Sequence, residues 1–67
     1  MPYVNIRITK EGVTKQKKAA LIKGVTRLLA EKLGKNPETT VVVIDEVDTD
    51  NWGIGGETVT VRRKSGR

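Results

Sequence analysis

The segment that most restricts the fold of this chain is residues 40–47, TVVVIDEV, because it is apolar on both faces of a strand. Val42 and Ile44 point to one side and Val41 and Val43 to the other, since side chains alternate along a strand. A strand with two apolar faces has to be covered on both. The rest of the sequence offers one long helix, which covers one face, so we predict that another copy of the chain covers the other.

Two further segments complete a strand–helix–strand unit. Residues 2–9, PYVNIRIT, alternate between apolar and polar side chains and predict a strand with one face toward a core. A helix is predicted from an N-cap at Thr14 to about Leu33, with Gly34 as the stop signal, because apolar residues recur at helical spacing. A connection of this length favours parallel strands. We therefore predict an α+β fold, one domain over 1–67, built on a β-α-β unit.

The remaining residues predict a short C-terminal hairpin and a tail. The loop DTDNWGIGG, residues 48–56, contains three glycines, which suit a turn with positive φ. The segment ETVTVRR, residues 57–63, alternates and predicts a short strand. The last four residues, 64–67, are polar and predict a flexible tail.

The composition leaves few ways to stabilise so short a chain. It has 67 residues with neither cysteine nor histidine, which excludes disulfides and the usual zinc, haem and iron–sulfur ligand sets. A core of this size contributes about 3–5 kcal/mol, and small domains often gain the rest by associating. We predict self-association, no metal and no cofactor. The absence of cysteine fits a reducing cytoplasm, and no segment reaches the roughly 20 apolar residues of a membrane span.

The net charge of +5 favours anionic partners, either macromolecules or small carboxylates and phosphates. Nucleic acid is disfavoured, because Tyr3 and Trp52 are the only aromatic residues and no recognition motif is present. Lys15, Lys17 and Lys18 fall in the first turn of the predicted helix, where the helix dipole favours anions. A solvated surface, an anion-binding role and pairing with acidic groups of a neighbouring subunit all remain open for them.

Three features together resemble the 4-oxalocrotonate tautomerase family. They are Pro2 at the head of an alternating strand, the helix QKKAALIKGVTRLLAEKLG, and the strand and loop VVVIDEVDTDNWGIGGE. The resemblance extends from Pro2 to about Arg63. It implies that the parallel strand pair dimerises into a four-stranded sheet backed by two helices. It also implies that three such dimers form a homohexamer.

The resemblance further implies an isomerase that interconverts the enol and keto forms of a small 2-hydroxy or 2-oxo carboxylate. Removal of Met1 would expose the secondary amine of Pro2 as the general acid/base. An α-amine has an ordinary pKa of about 7.7–8.0, which partial burial and nearby cations lower toward neutrality. Trp52 matches the aromatic wall of the family's site.

The substrate-binding residues depart from the family pattern. The two arginines of the best-known members correspond here to Val13 and Val41. The candidate replacement cations are Lys10, Lys15, Arg62 and Arg63, of which Arg63 matches a C-terminal arginine of the family. We predict that one among Lys10, Arg62 and Arg63 binds the substrate carboxylate. The resemblance also implies that the backbone N–H groups around Ile8 and Thr9 polarise the carbonyl. The predicted substrate-binding set is therefore Ile8, Thr9, Lys10, Trp52, Arg62 and Arg63.

Two other functions remain open at the level of sequence. A hydratase or dehalogenase on the same fold would use a protonated Pro2 and a carboxylate, Asp50 or Glu46, to activate water. Alternatively, the chain has lost activity and serves as a cationic oligomeric binding module, an interpretation that Val13 and Val41 favour.

Overall fold

The computed structural model describes residues 1–66 and contains the predicted strand–helix–strand unit. Strand β1 (Tyr3–Thr9) pairs in parallel with β2 (Val41–Val47), in a register that runs from Tyr3 opposite Val41 to Thr9 opposite Val47. Helix α1 (Lys15–Leu33) connects them. The prediction of a β-α-β unit with parallel strands is confirmed.

Helix α1 begins and ends at the predicted residues. The Thr14 hydroxyl accepts a hydrogen bond from the backbone N–H of Lys17 at 3.2 Å, which satisfies one free donor of the first turn. At the other end Gly34 adopts φ 64°, and its N–H donates to the carbonyl oxygen of Ala30 at 3.0 Å. Glycine takes this left-handed conformation without the cost that a Cβ would add.

The two faces of the β1–β2 sheet have different surroundings. The face toward α1 carries Ile6 and Ile44, together with Glu46, whose carboxylate pairs with the ammonium of Lys18 on the helix. The opposite face carries no helix. This face is apolar where the strands begin, at Tyr3 and Val41, and polar where they end, at Arg7 and Asp45. Asn5 and Val43 lie between these two pairs.

The C-terminal segment contains the predicted hairpin and a helix that the sequence did not indicate. Strands β3 (Gly53–Ile54) and β4 (Glu57–Thr58) pair antiparallel across Gly55 and Gly56, which have φ values of 62° and 86°. The strand predicted over 57–63 is wrong beyond Thr58. Residues Val59–Lys64 form a short helix, α2, which extends into the predicted tail, and Arg67 lies outside the described residues.

Capping explains why α2 forms where alternation predicted a strand. The Thr58 hydroxyl accepts from the N–H of Val61 at 3.1 Å, and three basic residues in the last turn complement the negative end of the helix dipole. Six residues contain too few turns for periodicity to separate a helix from a strand.

A single copy of the chain has almost no interior. Among the described residues Val59, at 6% exposure, is the one buried hydrophobic side chain, and α1 has none. The radius of gyration is 15.4 Å, against about 11 Å for a compact chain of this length. No helix within residues 1–66 is both long enough and apolar enough to cross a membrane.

Candidate functional site

A pocket of about 480 Å³ lies at the carboxyl end of β1. Five of the predicted substrate-binding residues line it. Ile8 and Thr9 come from β1, Trp52 from the loop before β3, and Arg62 and Arg63 from α2. The structure therefore gathers residues from three separate parts of the chain into one site.

Helix α2 holds Trp52 in place. The Trp52 carbonyl accepts the N–H of Val59 at 2.8 Å, and Val59 is the buried residue beneath the pocket. The Thr60 hydroxyl joins that of Thr49 at 2.6 Å and donates to the Asp50 carboxylate. These contacts tie α2 to the segment that carries the indole. The position of Trp52 therefore depends on a helix in a region where alternation had predicted a strand.

The two arginines of α2 are held by different partners. Arg62 donates from Nη1 to the Ile54 carbonyl at 3.4 Å and lies 4.0 Å from the Glu57 carboxylate. Arg63 pairs through Nη2 with the carboxylate of Glu11, in the loop between β1 and α1. The Arg62 side chain is 29% exposed and the Arg63 side chain 51%, so Arg62 is the more enclosed of the two cations.

Four lining residues were not singled out from the sequence: Arg7, Glu11, Ile54 and Val59. Arg7 alternates with the apolar residues of β1 and gave no sign of a site. Glu11 pairs with Arg63, another lining residue, although the two are 52 residues apart in the chain. Hydrogen bonds from Thr9 and then Arg63, together with the charge of Arg63, hold the pKa of Glu11 below its ordinary value.

Comparison with known proteins assigns the chain to a family. The family model described as tautomerase enzyme matches residues 2–62. The chain belongs to the tautomerase family.

Individual relatives agree with this assignment and with the fold. A probable tautomerase of Dickeya dadantii is 72% identical over 64 residues, which cover 96% of each chain. The crystal structure of DmpI from Helicobacter pylori superposes with a TM-score of 0.86 at 45% identity, covering 94% of this chain and 97% of that one. TomN, a 4-oxalocrotonate tautomerase homologue of the tomaymycin biosynthetic pathway, superposes with a TM-score of 0.88 at 32% identity, covering 98% and 100%. The chain is thus an isomerase with the predicted tautomerase fold.

In this tautomerase Pro2 lies at the opposite end of β1 from the pocket. Its carbonyl accepts the N–H of Val41 at 3.0 Å, at the start of the sheet. Ile8 is six residue steps along the chain from Pro2, a distance of about 20 Å in an extended strand. Met1, which precedes it, is 94% exposed. Pro2 and the pocket of the same chain therefore do not form one site.

The other predicted groups also lie outside the pocket lining. Lys10 is exposed, and its backbone N–H donates to the Val47 carbonyl at 2.8 Å, which continues the sheet. Glu46 is paired with Lys18 on the helix side of the sheet. Asp50 accepts from Thr60. Within residues 1–66 no cluster of three or more acidic side chains is placed to hold a metal ion.

Proposed function

We propose that this tautomerase interconverts enol and keto forms of a small 2-hydroxy or 2-oxo carboxylate, at a site that two protomers form together. One protomer supplies the pocket and the other supplies Pro2 as general acid/base. The observation that carries the proposal is the convergence of Trp52 and the two arginines of α2 on one pocket at the end of β1, with Pro2 at the other end.

The hydrogen-bonding pattern of β1 supports this arrangement. Pro2 and Lys10 both bond to β2, and backbone groups alternate sides along a strand. The even-numbered residues of β1 therefore face β2, and the odd-numbered ones face an edge that is open in the single chain. Two copies paired antiparallel along this edge, with two-fold symmetry, bring the start of each β1 beside the end of the other. This pairing yields the predicted four-stranded sheet.

The same alternation separates the two predicted backbone donors. The N–H of Ile8 points toward β2, whereas the N–H of Thr9 points to the open edge, on the side where the second copy places its Pro2. We therefore propose Thr9 as the backbone group that polarises the substrate carbonyl, and Ile8 as an apolar contact through its side chain.

The chemistry requires one mobile proton and no cofactor. After removal of Met1, the neutral nitrogen of Pro2 takes the proton of the enol hydroxyl as the carbonyl forms. The protonated nitrogen then delivers a proton to a carbon of the conjugated chain. Arg62 binds the substrate carboxylate through charge-assisted hydrogen bonds. Trp52 excludes water, which favours the neutral amine.

The cations at the pocket take the place of the family arginines that are valines here. Val41 lies beside Pro2 at the start of β2, where it offers an apolar contact and no charge. Lys10 does not line the pocket of its own chain. It stays a predicted substrate contact, one that would form only in a site completed by a second protomer. The predicted homohexamer of three dimers would also cover the open face of the sheet at Tyr3, and light scattering measures that assembly.

The alternative functions are weaker on this geometry. A hydratase or dehalogenase was expected to use Asp50 or Glu46 to activate water, and both carboxylates are engaged outside the pocket. Halide release from a haloacrylate would support that chemistry. An inactive binding module would show salt-sensitive binding without turnover.

Intact mass combined with an enol assay tests the proposal. We expect the purified protein to lack Met1 and to ketonise phenylenolpyruvate or 2-hydroxymuconate, with activity reduced strongly in Pro2→Ala. Pro37→Ala, at the other proline of the chain, is the matched control. An intact Met1 on active enzyme, or equal rates for Pro2→Ala and wild type, would overturn the role of Pro2.

A further inference from the structure

Each arginine that lines the pocket has a carboxylate partner on the same chain. Arg7 pairs with Asp45 at 3.4 Å, Arg62 with Glu57 at 4.0 Å, and Arg63 with Glu11. Of these three acidic groups, Glu11 alone also lines the pocket. The pocket therefore contains a fixed negative charge beside the cations that are expected to bind substrate.

Two hydrogen bonds hold this charge in position. The Thr9 hydroxyl donates to Oε2 of Glu11 at 2.9 Å, and Arg63 donates to Oε1. The carboxylate therefore bridges the end of β1 and helix α2. The Thr9 hydrogen bond, followed by Arg63, lowers the pKa of Glu11, so the group is an anion at neutral pH.

The two arginines of α2 differ in their availability to a ligand. Arg62 is held loosely, by one carbonyl at 3.4 Å and one carboxylate at 4.0 Å. Both carboxylate oxygens of Glu11 already accept a hydrogen bond, one of them from Arg63. A substrate carboxylate can approach Arg62 without displacing a close partner, but at Arg63 it meets Glu11.

We propose that Glu11 restricts this tautomerase to substrates with a single carboxylate. Arg62 binds that carboxylate, Glu11 occupies Arg63, and the charge of Glu11 repels a second carboxylate at the far end of the substrate. The inference rests on the proposed function, namely that the pocket binds a small carboxylate. It adds that these substrates carry a single carboxylate group. Glu11 thus acts as a specificity residue.

Binding of two matched ligands tests the inference without turnover. Sorbate and muconate share a six-carbon diene and differ at one end, where sorbate has a methyl group and muconate a second carboxylate. Trp52 is the only tryptophan of the chain and lines the pocket, so its fluorescence reports both ligands. The measurement uses the full-length, processed oligomer, and the quantity compared is the ratio of the two dissociation constants.

We expect Glu11→Gln to shift this ratio toward muconate by about tenfold, which corresponds to about 1.4 kcal/mol. Glu31→Gln removes the same charge from an exposed position on α1 and should leave the ratio within about twofold, the range of a screened surface charge. The double variant Glu11→Gln/Arg63→Gln should lose the gain, because the second carboxylate then has no cation to bind. A merely structural role for Glu11 would weaken both ligands and leave the ratio unchanged.

Three results would overturn the inference: a ratio that Glu11→Gln does not move, an equal shift in Glu31→Gln, or wild type that already prefers muconate strongly. Assays on the enols 2-hydroxypenta-2,4-dienoate and 2-hydroxymuconate separate this failure from that of the proposed function. Turnover with no shift in the binding ratio refutes the role of Glu11 alone. A shift in the ratio without turnover of either enol refutes the proposed reaction and leaves Glu11 as a binding determinant.

Discussion

The two ends of strand β1 differ in their surroundings, and the proposed reaction assigns a different role to each. Its start offers a proline and the apolar side chains of Tyr3 and Val41, with no arginine or lysine close by in the sequence before Arg7. Its end meets an indole, three arginines and Glu11 in one pocket. Apolar surroundings favour the neutral amine that accepts a proton, whereas cations favour the binding of a substrate carboxylate. Because the proline and the arginines lie at opposite ends of one strand, each kind of surroundings can form. In the proposed two-protomer site, a second copy of the chain brings them together.

The largest expected effect is at the start of the strand. Pro2→Ala replaces the cyclic secondary amine and should reduce kcat/KM by roughly 10²–10⁴-fold, the usual contribution of a positioned general base. Steady-state ketonisation by the processed protein measures it. The Pro37→Ala control should retain wild-type rates, and a Pro2→Ala enzyme of equal rate would show that the start of β1 takes no part in the reaction.

Mixed oligomers test whether the two ends act across protomers. At substrate concentrations well below the wild-type KM, Pro2→Ala and Arg62→Gln subunits are each strongly impaired alone, and they should recover about a quarter of wild-type activity when refolded together. In a two-fold mixed dimer one of the two sites receives both intact groups. The test compares the activity of the mixed oligomers with that of each variant refolded alone. Recovery that never exceeds the sum of the two variants would place both groups of a site on one chain.

At the end of the strand, Arg62→Gln should raise KM by roughly 10- to 100-fold, because a hydrogen bond to a charged group contributes about 1.5–3 kcal/mol. Lys64→Gln removes a charge from the same short helix outside the pocket lining and serves as the control. A larger fall in kcat than rise in KM would indicate that Arg62 acts on the transition state instead of binding the substrate.

The smallest expected effect concerns pH. The pKa of Glu11 is depressed in the folded chain by its pairing with Thr9 and Arg63. This pairing makes its full contribution to stability when the pH is above the ordinary carboxyl pKa of about 4.3. That contribution is lost as the pH falls through the depressed value. Acid unfolding followed by circular dichroism should show a steeper loss of stability below pH about 4 for wild type than for Glu11→Gln. Parallel curves would mean that the ion pair does not contribute to stability.

Much of the fold and part of the site followed from local sequence signals. Thr14 and Gly34 mark the ends of α1, because capping depends on residues within one turn of the helix end. Trp52 was assigned to the site through the resemblance, and Arg62 and Arg63 as candidate replacements for the missing arginines; the structure gathers all three in one pocket. Glu11 was missed because its role depends on Arg63, and no short-range pattern links positions 52 residues apart.

What the sequence by itself determined is the strand–helix–strand order of the first three main elements, the ends of the long helix and the lack of a self-sufficient core. These depend on periodicity, capping and composition, which act over a few residues or over the whole chain at once. The sequence did not indicate that residues 59–64 form a helix, that Glu11 lines the pocket beside Arg63, or that Pro2 is about 20 Å from the pocket. The short helix was missed because six residues are too few for periodicity to identify it. The location of Glu11 and of the pocket was decided by the tertiary structure, because both depend on contacts between distant segments that no local pattern encodes.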